Sequence, residues 1–185
     1  MAKNQPVRQN GGGNILILPN IRSAINVGAI FRTADAVRIS KIYLTGYTPR
    51  PTDKFERIQK DIKKSALGAE TWVPWEYKKT LLPLINILKK RGYKIIAIEQ
   101  DKRAIDYRKI SARGGPAYGW KSKIAIIMGP EVEGLAKKIL DKCDLIAEIP
   151  MQGKLARNRL PNDGGKESLN VSVACGVALF RILNS

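Results

Sequence analysis

The chain has 185 residues; its 33 Lys and Arg exceed its 16 Asp and Glu by 17, and it contains no histidine. This length suits one well-buried domain, and the positive surplus favours a polyanionic partner, nucleic acid ahead of a membrane surface. With no histidine, and with Cys143 and Cys175 lacking any metal-ligand spacing, a zinc site and a histidine-based triad are excluded.

Residues 1–13 lack the apolar core of a secretory signal and read as a flexible basic arm, so the chain is expected to be cytoplasmic, with residues 14–185 forming a single domain. No apolar run reaches about 18 residues, so a membrane partner is not expected. The apolar run Asn14-Ile15-Leu16-Ile17-Leu18-Pro19, bounded by turn residues, reads as a buried strand. The spacing of Val27, Ile30, Phe31, Ala34 and Val37 then predicts a core-facing helix over 26–37. A strand over 41–44 is followed by a loop over 47–53, a helix over 53–67, a weaker strand over 71–73 and a helix over 80–90. Further strands are predicted over 93–98, 123–128 and 144–149, with a weakly structured region over 108–121. A short helix over 134–141 precedes the last of these strands, and an apolar helix over 169–183 closes the chain. Strands alternating with helices predict an α/β fold, a mainly parallel sheet with helices on both faces. In such sheets ligands sit beyond the carboxyl ends of the strands. That rule points to the loops over 19–26, 129–134 and 150–168.

Each of these loops carries chemistry-bearing residues. In Asn20-Ile21-Arg22-Ser23-Ala24-Ile25-Asn26-Val27-Gly28, Asn26 is a candidate helix N-cap and Gly28 would let a ligand approach the backbone N–H groups. Arg32 follows two turns in; the alternative is an ordinary cap and a surface pair between Arg32 and Asp35. Met128-Gly129-Pro130-Glu131-Val132-Glu133-Gly134 sets two glycines around a carboxylate at a strand end, which suits either close ligand approach or a plain helix-entry loop. Ser168 and Asn170 flank the start of the last helix, where one of them suffices as a cap and two leave a hydrogen bond for something else. Cys175, inside that helix, reads as a small core residue rather than a nucleophile. The G-x-G-x-x-G and P-loop fingerprints are absent.

Together, in this order, the three stretches resemble the three motifs of the SpoU (TrmH) branch of the SPOUT methyltransferases. Asn26, Gly28 and Arg32 match the first motif. Gly129, Glu131 and Gly134 match the second, and Ile149-Pro150-Met151, Gly153 and Ser168-Leu169-Asn170 the third. The resemblance implies a deep trefoil knot in the C-terminal part, a homodimer, and transfer of a methyl group from S-adenosyl-L-methionine to a ribose 2′-hydroxyl of tRNA or rRNA. It makes Arg32 the residue nearest the chemistry, with Asn26, Glu131, Ser168 and Asn170 around it. Met128, Gly129, Glu131, Gly134, Ile149, Met151, Ser168, Leu169 and Asn170 would hold the cofactor, with no metal needed. Arg22, Arg32, Lys154, Arg157 and Arg159 would contact RNA. One departure is an insertion over 154–167 between the two halves of the third motif. The rival readings are a non-catalytic RNA-binding or ribosome-associated protein and a base-methylating SPOUT enzyme.

Overall fold

The computed structural model describes residues 13–111, 118–119, 123–130, 133–152 and 168–184. Residues 1–12 of the predicted basic arm, Glu131, Gly153 and the insertion over 154–167 lie outside the described residues.

Among the described residues, seven strands form one parallel sheet in the order β3-β2-β1-β8-β4-β9-β5. They are β1 (Ile15–Pro19), β2 (Lys41–Thr45), β3 (Trp75–Lys78), β4 (Lys94–Ile98), β5 (Ile105–Asp106), β8 (Ile124–Met128) and β9 (Leu145–Glu148). β6 (Ile110–Ser111) and β7 (Tyr118–Gly119) pair separately. Among the described residues the α-helices are α1 (Ala24–Ala36), α2 (Lys60–Ala66), α3 (Ala69–Trp72), α4 (Leu81–Lys90), α5 (Lys137–Leu140) and α6 (Val171–Asn184).

The side-chain period of two explains why the strands read as unbroken apolar runs. Leu16, Leu18, Ile42, Leu44, Ile96, Ile98, Ile126 and Met128 face one side, packed with Phe31 and Ile30 of α1, Ile62 of α2 and Leu179 of α6. Their neighbours Ile15, Ile17, Tyr43, Ile95, Ala125 and Ile127 face the other, against Leu84, Ile85 and Leu88 of α4 and Ile139 of α5. Both faces are dry, so alternation with polar residues disappears.

Several expectations are corrected. The strand expected over 71–73 is helical at Thr71 and Trp72, and the edge strand lies at Trp75–Lys78, where Trp75, Glu76 and Tyr77 pair with Ile42, Tyr43 and Leu44. Only Lys60–Ala66 of the helix expected over 53–67 is helical. The residues before it close a small hairpin through the Thr52–Ile58 bridge, because Asp53 accepts from the Phe55 and Arg57 N–H groups and draws the chain into a tight turn. α1 begins two residues before Asn26, with Ser23 as its cap: the Ser23 hydroxyl accepts from Asn26 N at 3.2 Å. Gly28 is buried against α2 instead of open to a ligand; a Cβ there would lie 2.0 Å from Ser65 Oγ and 2.6 Å from the Ile62 carbonyl oxygen. The close approach that Gly28 permits is that of a neighbouring helix.

Candidate active site

β4, β8 and β9 lie side by side and end at the same edge of the sheet, and their carboxyl ends open into one cleft. Ile98, Glu99 and Gln100 follow from β4, Met128, Gly129 and Pro130 from β8, and Glu148, Ile149 and Met151 from β9. Ser168, Leu169, Val171 and Ala174, at the start of α6, close the remaining side. Most of the wall is apolar. The charged side chains lining it among the described residues, Glu99 and Glu148, are both acidic, although the chain as a whole is strongly basic.

Glu99 organises the β8 side of the cleft. Its Oε2 accepts from Leu135 N at 2.7 Å and its Oε1 from Gln100 N at 3.0 Å, while the Glu99 N–H donates to Ala147 O at 2.9 Å. The carboxylate therefore ties the end of β4 to the chain that follows β8. Gly129 makes this possible: its N–H donates to Ile98 O at 3.2 Å, and a Cβ on it would lie 2.2 Å from Glu99 Oε2. Sequence reasoning missed Glu99, although its place just after the apolar run Ile95-Ile96-Ala97-Ile98 satisfies the strand-end rule that found the other loops.

Asn170 has two tasks at the mouth of α6. Its Oδ1 accepts from Ser172 N at 2.9 Å and from Ser172 Oγ at 2.7 Å, which caps the helix. Its Nδ2 donates to Asn26 Oδ1 at 3.2 Å, across 144 residues of sequence. The first and third stretches are joined by that bond, and α1 packs along α6 behind it.

Six predicted site residues share the cleft: Met128, Gly129, Ile149, Met151, Ser168 and Leu169. Asn26, Asn170 and Arg32 stand on the adjoining helices, with Arg32 exposed two turns beyond Asn26. Arg22 is exposed in the loop between β1 and α1. Gly134, at φ +64°, lines other surface clefts with Glu133 and Leu135. Glu131, Lys154, Arg157 and Arg159 lie outside the described residues.

The two thiols are chemically quiet. Burial raises the Cys175 thiol far above its ordinary range, as expected of a core residue, and pushes Cys143 up to about 11. No group of residues suited to hold a metal ion occurs among the described residues, and none of the helices there is long and apolar enough to cross a membrane.

The sequence model of the SpoU rRNA Methylase family matches residues 13–180. The chain belongs to that family. A relative named 23S rRNA (guanosine-2′-O-)-methyltransferase RlmB, from Xylella fastidiosa, is 29% identical over 170 residues, covering 92% of this chain and 58% of its own length. Among solved structures, the A. aeolicus TrmH/SpoU tRNA modifying enzyme is 25% identical, with a TM-score of 0.71 over 92% of this chain and 73% of its own. The AdoMet-bound rRNA methyltransferase from Sinorhizobium meliloti is also 25% identical, with a TM-score of 0.73 over 92% of this chain and 55% of its own. This SpoU chain spans about three-fifths of the length of the curated relatives it matches.

Proposed function

We propose that this SpoU-family chain is an RNA methyltransferase that uses S-adenosyl-L-methionine to methylate a ribose 2′-hydroxyl of tRNA or rRNA. The observation that carries this reading is the cleft at the ends of β4, β8 and β9, with an apolar wall and acidic lining in a basic protein. A ligand combining a flat apolar purine with sulfonium and ammonium charges suits that wall; a bare phosphate does not.

Met128, Gly129, Ile149, Met151, Ser168 and Leu169 would hold the cofactor, with Glu131 and Gly134 on the second-motif loop and Glu99 fixing the backbone of the wall. The bound cofactor supplies an electrophilic methyl group. Arg32, exposed on α1, binds the RNA phosphate beside the target ribose and stabilises the developing negative charge on the 2′-oxygen. A guanidinium stays protonated, so it serves as a charge, and the hydroxyl proton leaves through water or a neighbouring group. Asn26 and Asn170 hold α1 against α6 and so set where Arg32 stands relative to the cleft; Ser168 and Glu131 complete the surroundings. Much of the rate comes from orientation. Arg22, with Lys154, Arg157 and Arg159 of the insertion, adds phosphate contacts.

Residues 14–185 act as one SPOUT domain preceded by a basic arm, in a cytoplasmic protein. The insertion of β8 between β1 and β4, with β9 on the other side of β4, supports a C-terminal segment threaded as a deep trefoil knot. A homodimer is supported by α6, where Val173, Val177 and Phe180 present an exposed apolar stripe at i, i+4 and i+7. Exposed Ile25 lies in the first turn of α1, the helix that packs along α6 and carries Arg32, so two copies joined through this face would bring each Arg32 towards the partner.

Calorimetry with S-adenosylmethionine, followed by transfer of labelled methyl groups to unmodified tRNA and rRNA transcripts, tests the reading. Absence of binding at millimolar cofactor leaves the non-catalytic RNA-binding alternative, and label recovered on a base after nuclease digestion makes it a base methyltransferase.

A further inference from the structure

Between β2 and α2 the chain builds a rigid, exposed tip that the catalytic reading does not use. Asp53 locks it: its Oδ1 accepts from Phe55 N at 2.8 Å and Arg57 N at 3.0 Å, and its Oδ2 from Arg57 Nε at 2.7 Å. The Thr52–Ile58 bridge and the bond from Gln59 N to Pro51 O at 2.9 Å close the base. At the apex Phe55 is 64% exposed. Lys54 Nζ stands 4.8 Å and Arg57 Cζ 5.1 Å from its ring centroid. Beside it runs a surface groove in which Arg50, Arg57 and Lys60 face two carboxylates, Asp53 and Asp61.

Exposing a large aromatic ring to water has a cost, and fixing it in place with a hydrogen-bonded turn removes its freedom to fold back. A ring held out beside two cations, above a groove whose three cations outnumber its two carboxylates, matches the needs of single-stranded nucleic acid: an exposed ring for a base to stack on, and positive charge for the neighbouring phosphates. A second copy of this chain is the poorer occupant, because it would set two patches of the same net sign together, Arg50, Lys54, Arg57 and Lys60 outnumbering Asp53, Glu56 and Asp61 on each. The α6 stripe of Val173, Val177 and Phe180 carries no charge of its own.

The tip is also tied to the site. Thr48 Oγ1 accepts from Ile21 N at 3.0 Å and donates to Leu18 O at 2.8 Å, and Tyr47 N donates to Asn20 Oδ1 at 3.4 Å. These bonds pin the start of the 47–59 segment to the loop that bears Arg22 and leads into α1. We propose that Phe55 is a stacking platform for an unpaired base of the substrate RNA, flanked by phosphate contacts from Lys54, Arg50 and Lys60. This deepens the RNA-methyltransferase reading and rests on it: the enzyme would take its ribose from a single-stranded or looped segment and hold a second nucleotide on the tip.

The test is fluorescence anisotropy of the full chain with a labelled oligouridylate and with an abasic oligonucleotide of the same length and charge. The wild type is expected to prefer the base-bearing strand, and Phe55→Ala and Phe55→Leu to lose about 5- to 100-fold in affinity for it, with Phe55→Tyr restoring binding. Affinity for the abasic strand should not change in these variants. Lys54→Gln with Lys60→Gln should lower the salt slope by about 1.4, at roughly 0.7 per phosphate. If the wild type binds neither strand, the RNA reading itself falls. If it binds both strands equally, or Phe55→Ala binds like the wild type, only the platform falls. A Phe55→Ala protein that sediments as a smaller species than the wild type would make the tip a contact between copies and overturn the platform as well.

Discussion

Replacing Gly129 with alanine probes the cleft wall with a single methyl group. The added Cβ would lie 2.2 Å from Glu99 Oε2, 3.0 Å from its carboxyl carbon and 3.3 Å from the Ile98 carbonyl oxygen. Gly129 is not among the positive-φ glycines, so alanine meets no strain of its own there. The Ile98 contact needs a shift of a few tenths of an ångström, but the Glu99 carboxylate must leave. It then gives up the 2.7 Å bond from Leu135 N. A hydrogen bond to a charged group contributes about 1.5–3 kcal/mol. Glu99 is only half-buried and regains water, so the net loss is about 1–2 kcal/mol. With a slope of about 2 kcal/mol per molar, the urea midpoint falls by roughly 0.5–1 M. If cofactor binding must restore the loop order, its affinity drops by about 5- to 30-fold. Glu99→Ala loses the same bond but removes the clash, so adding Gly129→Ala to it should cost little more, a marked failure of additivity. Urea unfolding and calorimetry with S-adenosylmethionine on the three variants measure both effects. A Gly129→Ala protein with wild-type midpoint and wild-type cofactor affinity would refute the latch between Glu99 and Leu135.

Arg32→Ala is expected to reduce methyl transfer by at least about 100-fold while leaving the cofactor dissociation constant unchanged, as calorimetry beside a single-turnover assay would show. Asn170→Ala should cost about 1 kcal/mol through the lost cap, whereas Asn170→Ser keeps the cap and loses only the link to Asn26. A double-mutant cycle of Asn26→Ala with Asn170→Ser then isolates that link, expected at about 0.5–1.5 kcal/mol; a coupling of zero would show that it does not hold the helices together. Phe180→Asp should convert the proposed dimer to monomer in sedimentation, since it buries a charge in an apolar stripe. Both thiols titrate higher in the folded chain than in the unfolded one, so above about pH 9 the unfolded state releases protons that the folded state keeps. Stability should therefore fall between about pH 9 and 11, where Cys143 itself ionises in the folded chain, and a Cys143→Ala, Cys175→Ala double variant should fall less steeply.

The strands were legible where burial on both faces erased every polar interruption, as in Ile15-Leu16-Ile17-Leu18 and Ile124-Ala125-Ile126-Ile127. β3 was not, because its four residues are all half-buried at the far edge of the described sheet order and mix Trp and Tyr with Glu and Lys. Asn26 and Gly28 had the right composition for a ligand-binding helix start, yet Ser23 is the cap and α2 fills the space above Gly28. Local chemistry permits several uses for each of these residues, and only the neighbour that arrives decides among them.

Sequence alone determined the layering: apolar runs of strand length, separated by amphipathic stretches, can bury themselves only as a sheet with helices on both faces. Its three polar loops also pointed to the family and to one edge of that sheet. Tertiary structure decided which ends meet. Placing β8 between β1 and β4, and β9 beyond β4, brings Gly129, Ile149 and Leu169 to one cleft, sets Glu99 behind it, and lets Asn170 reach Asn26 across 144 residues. Strand order depends on long-range packing between segments whose local patterns are alike, so no window of sequence contains it.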